Sequence, residues 1–335
     1  MRAVVLEGYG GPEVLRLREI PDPEPGRGEV RVAVEAAALN RADVLQRLGK
    51  YPPPGPKPAF EIPGLEFAGR VEKLGPEVAE WKAGDRVFGL LAGGGYAERV
   101  VAHERMLLPV PPGVRWVEAA AIPEAYFTAW DALVDRAGLR PGEALLVHAA
   151  AGGVGTAALQ LARILGAGTL WATTRTPGKG ERLKREGWAD EVVVASEAQD
   201  LARAVAERTG GRGVDVILDF VGGPYLEANI AMAAAGGRIV GLSYLGGARG
   251  TLPLGAFLFK RLTLVGTTLR GRPIEEKMLL TQRFRREVLP HVASGRVRPI
   301  LDRVVPFEAI AEAHRLLEEN RTFGKVAVRI GREEE

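Results

Sequence analysis

Residues 142–163 read GEALLVHAAAGGVGTAALQLAR: an apolar run, a glycine-rich turn, and a second apolar run with a different period. The segment EALLVHAA (143–150) is continuously apolar around one histidine and predicts a buried strand, whereas TAALQLARILGA (156–167) spaces its apolar residues at helical intervals. Between them, Ala150 to Gly155 reads A-x-G-x-x-G against the dinucleotide pattern G-x-G-x-x-G. Gly152 would let backbone approach a pyrophosphate, Gly155 would let the helix pack on the strand, and the helix N-terminus would supply amide donors and a favourable dipole. A merely structural corner is the competing reading, and the order strand, loop, helix argues against it. No Gly-Lys-Ser/Thr follows, which excludes a P-loop.

The next strand, GTLWATT (168–174), ends at Thr173-Thr174-Arg175. A fold preferring NAD places an acid there for the ribose hydroxyls; here Thr174 is followed by Arg175, with Lys179 close behind, which suits a 2′-phosphate and predicts NADPH. Ordinary surface cations are the alternative. The alternation continues through EVVVA, AQDLARAVAERTG, VDVILDFVG, YLEANIAMAAA, GRIVGLS and LTLVGTT (262–268). Six apolar strands joined by helices predict an α/β, doubly wound parallel sheet.

Upstream the texture differs. EVRVAVEAAAL (29–39), FAGRVEKLG (67–75), GDRVFGLL (84–91) and GYAERVVAH (95–103) alternate with period two between turn signals, which predicts an antiparallel, barrel-like β domain. YPPPGPKP (51–58) is loop, since proline cannot donate to a ladder. A helical stretch, AAAIPEAYFTAWDAL (119–133), leads into the α/β region. Past residue 269 come an amphipathic helix near 275–288, a strand at 300–306, a helix at 307–320, a strand at 324–330, and a terminal GREEE expected to be a solvated tail. The expected organisation is 1–120, 121–268, and a segment 269–335 that rejoins the first domain.

Bulk properties narrow the function classes. The 335 residues are 46% hydrophobic and 26% charged with mixed signs, as in a globular chain long enough for two cores. The net charge of +3 is spread along the chain without a basic, aromatic-interleaved block, so no nucleic-acid partner is expected. With zero cysteines there is no disulfide, no thiolate nucleophile and no Cys-ligated metal. No secretory signal or membrane-length apolar run is present, and the expected location is cytoplasmic.

On these motifs the chain resembles the zinc-free quinone oxidoreductase branch, which includes zeta-crystallin, of the medium-chain dehydrogenase/reductase superfamily. Residues 142–163 fit that group's signature throughout, Gln160 and Arg163 included. The likeness extends through ALNRADVLQRLGKYPPPG (38–55), AAAIPEAYFTAW (119–130), FKRLTLVGTTLRGR (259–272) and LPHVASG (289–295), most like the tumour-suppressor-induced animal members. The resemblance implies a GroES-like β catalytic domain, completed by the C-terminal segment, and a central Rossmann domain. It implies that Gly152, Gly153, Val154 and Gly155 hold the pyrophosphate, that Arg175 and Lys179 take the adenosine phosphate, and that Gly241, Leu242, Ser243, Thr267 and Thr268 lie along the cofactor. Thr128 would approach the nicotinamide half, and Asn40, Asp43 and Tyr51 would line the cleft between domains. One departure is Ala195, where relatives often place Tyr or His beside the adenosine.

In the zinc alcohol dehydrogenases Cys and His hold the metal, with Gly-His-Glu where this chain has Gly64-Leu65-Glu66. Leucine cannot ligate, so no metal is expected. A quinone needs less help from a Lewis acid, because hydride addition gives an aromatic hydroquinone anion whose charge is delocalised. Tyr51 could donate a proton or only shape the cleft. Asn40 could hold substrate or cap a helix beginning at Arg41. Asp43 could pair with an arginine. His148 reads as a packed histidine, His103, His291 and His314 lack partners at ligand spacing, and Asp219 and Glu66 read as scaffold. The expected activity is NADPH-dependent quinone reduction by a homodimer paired at the edge strand LTLVGTT. Reduction of α,β-unsaturated carbonyls and non-catalytic NADPH binding are the alternatives.

Overall fold

A computed structural model describes residues 1–56 and 58–331. In chain order the strands are β1 (Arg2–Leu6), β2 (Leu15–Glu19), β3 (Glu29–Ala38), β4 (Glu66–Leu74), β5 (Arg86–Leu90), β6 (Arg99–His103), β7 (Leu107–Pro109), β8 (Leu145–Val147), β9 (Leu170–Thr174), β10 (Glu191–Val194), β11 (Val214–Asp219), β12 (Ala233–Gly241), β13 (Thr263–Gly266), β14 (Leu301–Pro306) and β15 (Lys325–Arg329). Two compact units divide them: Met1–Phe127 together with the chain from Leu269 onward, and Thr128–Thr268. The division falls after Phe127, inside the helix Pro123–Trp130, so part of the helix that the texture assigns to the α/β region belongs to the first unit.

In the first unit the long sheet runs β14-β15-β3-β4-β5-β7, with β6 also paired to β3. β3 shows the cause of its own placement. Its residues alternate half-buried and buried, with Val30, Val32 and Val34 turned into the core, as a one-face-buried strand requires. Val326 and Val328 of β15 and Phe307, Ile310 and Leu317 of the helical stretch between β14 and β15 join that same core, which draws the C-terminal segment back onto the N-terminal strands. The sheet is mixed and not purely antiparallel, because β14 pairs parallel to β15. β1 and β2 form a separate antiparallel pair that the sequence reading passed over. The stretch at 51–58 is loop where described, and Lys57 lies outside the described residues. So does the expected solvated tail beyond Gly331.

The second unit is a six-stranded parallel sheet in the order β10-β9-β8-β11-β12-β13, which in order of appearance is 3-2-1-4-5-6. The order reverses between β8 and β11, so the loops leaving these two strands flank a crevice at the carboxyl edge, where such sheets take their ligands. Two expected boundaries shift. β8 stops at Val147, because Ala149 turns into the left-handed region with φ of 46°. The helix that starts at Gly223 ends at Met232 and the alanines 233–235 open β12 instead. Alanine favours helix, but pairing of Ala233 with Val214 of β11 outweighs that preference.

Candidate functional site

The helix Gly153–Ile164 begins where the loop from β8 ends, with Gly152 as its N-cap. Thr156 is the first residue whose N–H returns to Gly152, so the amides of Gly153, Val154 and Gly155 point outward without helical partners. A Cβ on Gly155 would fall 2.6 Å from Ala150 Cα, so close helix–loop packing dictates that glycine. Gly152 is different: its φ is −81°, and a Cβ there would meet only Ala149 O at 3.4 Å. Nothing inside the protein demands a glycine at 152, and the absent side chain leaves open space in front of the three amides. That cradle fits an oxyanion such as a pyrophosphate.

The other expected cofactor residues in this unit share the same edge. Thr174 closes β9 and is buried, while Arg175 is exposed directly after it. Lys179 sits in the first turn of the helix Pro177–Arg185, not in a free turn. Gly241 ends β12, Leu242 donates its N–H to Asp219 O at 2.8 Å, and Ser243 follows; all three are half-buried. Thr267 and Thr268 follow β13, but the Thr267 hydroxyl donates to buried Asp131 Oδ2 at 2.6 Å, which commits it to holding the chain. Thr128 is half-buried in the helix Pro123–Trp130.

Beside Arg175 an open cavity of about 590 Å³ is lined by Arg175, Lys184, Ala195, Ser196 and Asp200, among others. Ala195 lacks the bulk that would fill it. Among the described residues Lys184, which sequence reasoning missed, has no carboxylate partner, and neither has Arg175, whereas Arg208 on the rim is paired with Glu191 at 2.9 Å. Lys184 was hidden because it lies nine positions beyond Arg175, on a helix whose exposed face is charged throughout.

In the first unit, Asn40 and Asp43 come together with residues read as scaffold. Asn40 is the N-cap of the helix Arg41–Arg47, and its N–H donates to Asp43 Oδ2 at 2.7 Å. It forms a capping box with Asp43, and its carboxamide also reaches two other side chains. Asn40 Nδ2 donates to Glu66 Oε1 at 2.8 Å, and Lys325 Nζ donates to Asn40 Oδ1, to Leu39 O at 2.9 Å and to Glu66 Oε1 at 2.6 Å. Glu66 Oε2 accepts the Glu124 N–H at 2.8 Å. Among the described residues no arginine is bound to Asp43; it accepts from the Tyr96 hydroxyl at 2.8 Å and the Gly64 N–H at 3.2 Å. Burial outweighs those bonds and pushes the Asp43 carboxyl up to about 6. Glu124, half-buried in the chain, is pushed up to about 7, first by desolvation and then by Glu66 and Asp43 against the opposing pull of Lys325.

Tyr51 is half-buried, and the Arg270 guanidinium stands over its ring at 5.1 Å while donating to Tyr51 O at 2.9 Å, Gln46 Oε1 at 2.7 Å and Ala92 O at 2.8 Å. Arg270 is thus a buried strut for the Tyr51 loop. Leu65 is buried. Among the described residues no group of three or more His, Asp or Glu is placed to hold a metal. No helix among them is long and apolar enough to cross a membrane.

The sequence matches the alcohol dehydrogenase GroES-like domain over residues 26–112 and the zinc-binding dehydrogenase domain over 153–283. It is 32% identical to the human quinone oxidoreductase over 319 residues, 94% of this chain and 93% of that one. It is 43% identical to erythronolide synthase EryA2 of Saccharopolyspora erythraea over 238 residues, 70% of this chain, but spans only 6% of that much longer protein. Among solved structures, a mycobacterial protein complexed with NADPH superposes with a TM-score of 0.88 at 29% identity, covering 98% of this chain and 100% of the other. An NAD-dependent alcohol dehydrogenase gives 0.87 at 38% identity, with 99% and 100% covered. The JamJ enoyl reductase gives 0.88 at 26% identity, with 98% and 99% covered.

Proposed function

The chain belongs to the quinone oxidoreductase branch of the medium-chain dehydrogenase/reductase superfamily, and from that membership we propose that it is an NADPH-dependent reductase that delivers hydride to quinones without zinc. The observation that carries the proposal is the outward-facing N-terminus of the helix Gly153–Ile164, bare at Gly152, with a cation and no acid at the end of the neighbouring strand. Gly153, Val154 and Gly155 would hold the pyrophosphate by their amides. Arg175, with Lys184 beside it and Lys179 a turn away, would take the 2′-phosphate, which an acid in the same place would repel.

NADPH supplies a hydride at nicotinamide C4, and the chain supplies binding, orientation and a proton. Asn40 and Asp43 have their polar atoms engaged inside the first unit, so we assign them to support. Tyr51, held by Arg270, is the residue we assign to face the acceptor's oxygen. Independence from zinc is favoured by Leu65 at the would-be ligand position and by Glu66, whose two oxygens already bond Lys325, Asn40 and the Glu124 N–H.

A second reading, reduction of α,β-unsaturated carbonyls, is favoured by the likeness to the JamJ enoyl reductase. Turnover of reduced nicotinamide against a matched panel of quinones and enones, with and without a chelator, separates the two. Quinone turnover that survives chelation is the expected result; turnover of enones alone, or its loss on chelation, overturns it.

We further propose a homodimer. β13 is the sheet's edge, and Leu264 on it and Leu254, Leu258 and Phe259 on the preceding helix are exposed, Phe259 at 87%. An edge ladder beside an apolar patch is a surface suited to a second copy.

A further inference from the structure

His148 has no place in the cofactor reading above, yet it is fully buried at the point where β8 turns into the glycine loop. Its Nε2 lies 2.7 Å from Asn229 Oδ1, and its Nδ1 lies 2.8 Å from Thr173 Oγ1. Asn229 Nδ2 donates to Asp219 Oδ2 at 2.9 Å, which fixes Oδ1 as the atom facing His148. His148 therefore carries its proton on Nε2 and accepts the Thr173 hydroxyl at Nδ1. Asp219 completes the chain by accepting the N–H groups of Val221 and Gly222 at 2.7 and 3.1 Å. The ring of Tyr225 packs edge-on against the imidazole at 5.0 Å.

The consequence lies one residue further on. Ala149 occupies the left-handed region, φ 46°, without being glycine, a conformation that persists only when its surroundings enforce it. Both of its neighbours are tied to one residue of β9: His148 by its side chain to the Thr173 hydroxyl, and Ala150 by its N–H to Thr173 O at 3.1 Å. Ala149 O then accepts the Gly152 N–H at 3.0 Å, which sets where the helix N-terminus begins.

We propose that His148 is a positioning residue: clamped between Thr173 and Asn229, it holds Ala149 in its left-handed turn and thereby aims the Gly153–Gly155 amides at the pyrophosphate of the cofactor. The proposal rests on the reading of this edge as a dinucleotide site. It links the loop to β9, β11 and the helix Gly223–Met232 through a single buried polar chain, and Leu242 hangs from the same Asp219 by its N–H. Distortion at any member would move the phosphate cradle while leaving the sheet paired.

Thr173→Val removes the hydroxyl and keeps the shape, Thr173→Ser keeps the hydroxyl, and His148→Phe removes the clamp altogether. Binding of NADPH is measured by titration, beside thermal unfolding and hydrogen exchange at the Gly152 amide and at Leu218. We expect Thr173→Val to raise the Kd for NADPH about tenfold, the equivalent of one lost bond, and to speed exchange at Gly152 but not at Leu218. Thr173→Ser should bind like the wild type, and His148→Phe, if it folds, should lose at least as much affinity as Thr173→Val. A folded Thr173→Val that melts earlier but binds NADPH with unchanged Kd overturns the positioning role. Wild-type protein that binds no NADPH overturns the underlying reading instead.

Discussion

Lys325 Nζ lies 2.6 Å from Glu66 Oε1, both side chains buried, joining positions 259 apart in the chain. The three ammonium hydrogens find Leu39 O, Asn40 Oδ1 and Glu66 Oε1, so the pair is fully satisfied. Removing the cation leaves a carboxylate buried and uncompensated. Lys325→Met is expected to destabilise the fold by about 3–5 kcal/mol, measured from denaturant midpoints, and Lys325→Met with Glu66→Leu to recover much of that loss. A single variant within about 1 kcal/mol of wild type would show that the pair is not desolvated as described.

Arg175 supplies a guanidinium with no carboxylate partner among the described residues, directly after β9. A charge-assisted bond to phosphate is roughly a tenfold effect on affinity or more. Arg175→Ala should therefore weaken NADPH binding by about that factor and leave NADH unchanged, as read by titration of each nucleotide. Equal weakening of both would mean that Arg175 supports the fold and does not read the phosphate.

Buried His314 has neither ring nitrogen bonded among the described residues, packs edge-on to Tyr96 at 5.9 Å, and is driven down to about 3 by burial and then by nearby Arg47. Below about pH 6.5 the unfolded chain takes up a proton that the folded state refuses, so stability falls with falling pH by about 1.4 kcal/mol per unit until roughly pH 3. Asp43, raised to about 6, acts in the opposite sense, losing stability as pH climbs from about 4 to 6. Comparing wild type with His314→Leu at each pH cancels Asp43. Between pH 7 and pH 4 the wild type should lose about 3 kcal/mol more than the variant. Parallel pH profiles would mean that His314 titrates normally in the fold.

The dimer proposal requires β13 and its apolar neighbours. Phe259→Asp with Leu264→Asp should turn a two-chain species into a folded monomer by sedimentation. A monomeric wild type would remove the proposal outright.

How much of this was legible depends on the distance over which each cause acts. The loop from Ala150 to Gly155 was readable because its determinants, a close approach at Gly155 and a missing side chain at Gly152, are local. The position of Arg175 directly after β9 was readable because strand length fixes where β9 ends. Asn40 was readable in part. Its place as the cap of the helix beginning at Arg41 follows from a local pattern, but its side chain also joins Glu66 to Lys325, a partner no local pattern reveals. His148 was correctly read as a packed histidine, but its partners come from two other elements and only the fold assembles them. The alanines at 233–235 misled for the same reason, since β11 decides their state.

The most direct test of the central claim is calorimetric titration of the wild-type chain with NADPH and with NADH in metal-free buffer. The expected result is binding of both, with NADPH tighter by about tenfold or more. Equal or tighter binding of NADH would contradict the phosphate assignment at Arg175, and failure to bind either would contradict the nucleotide site itself.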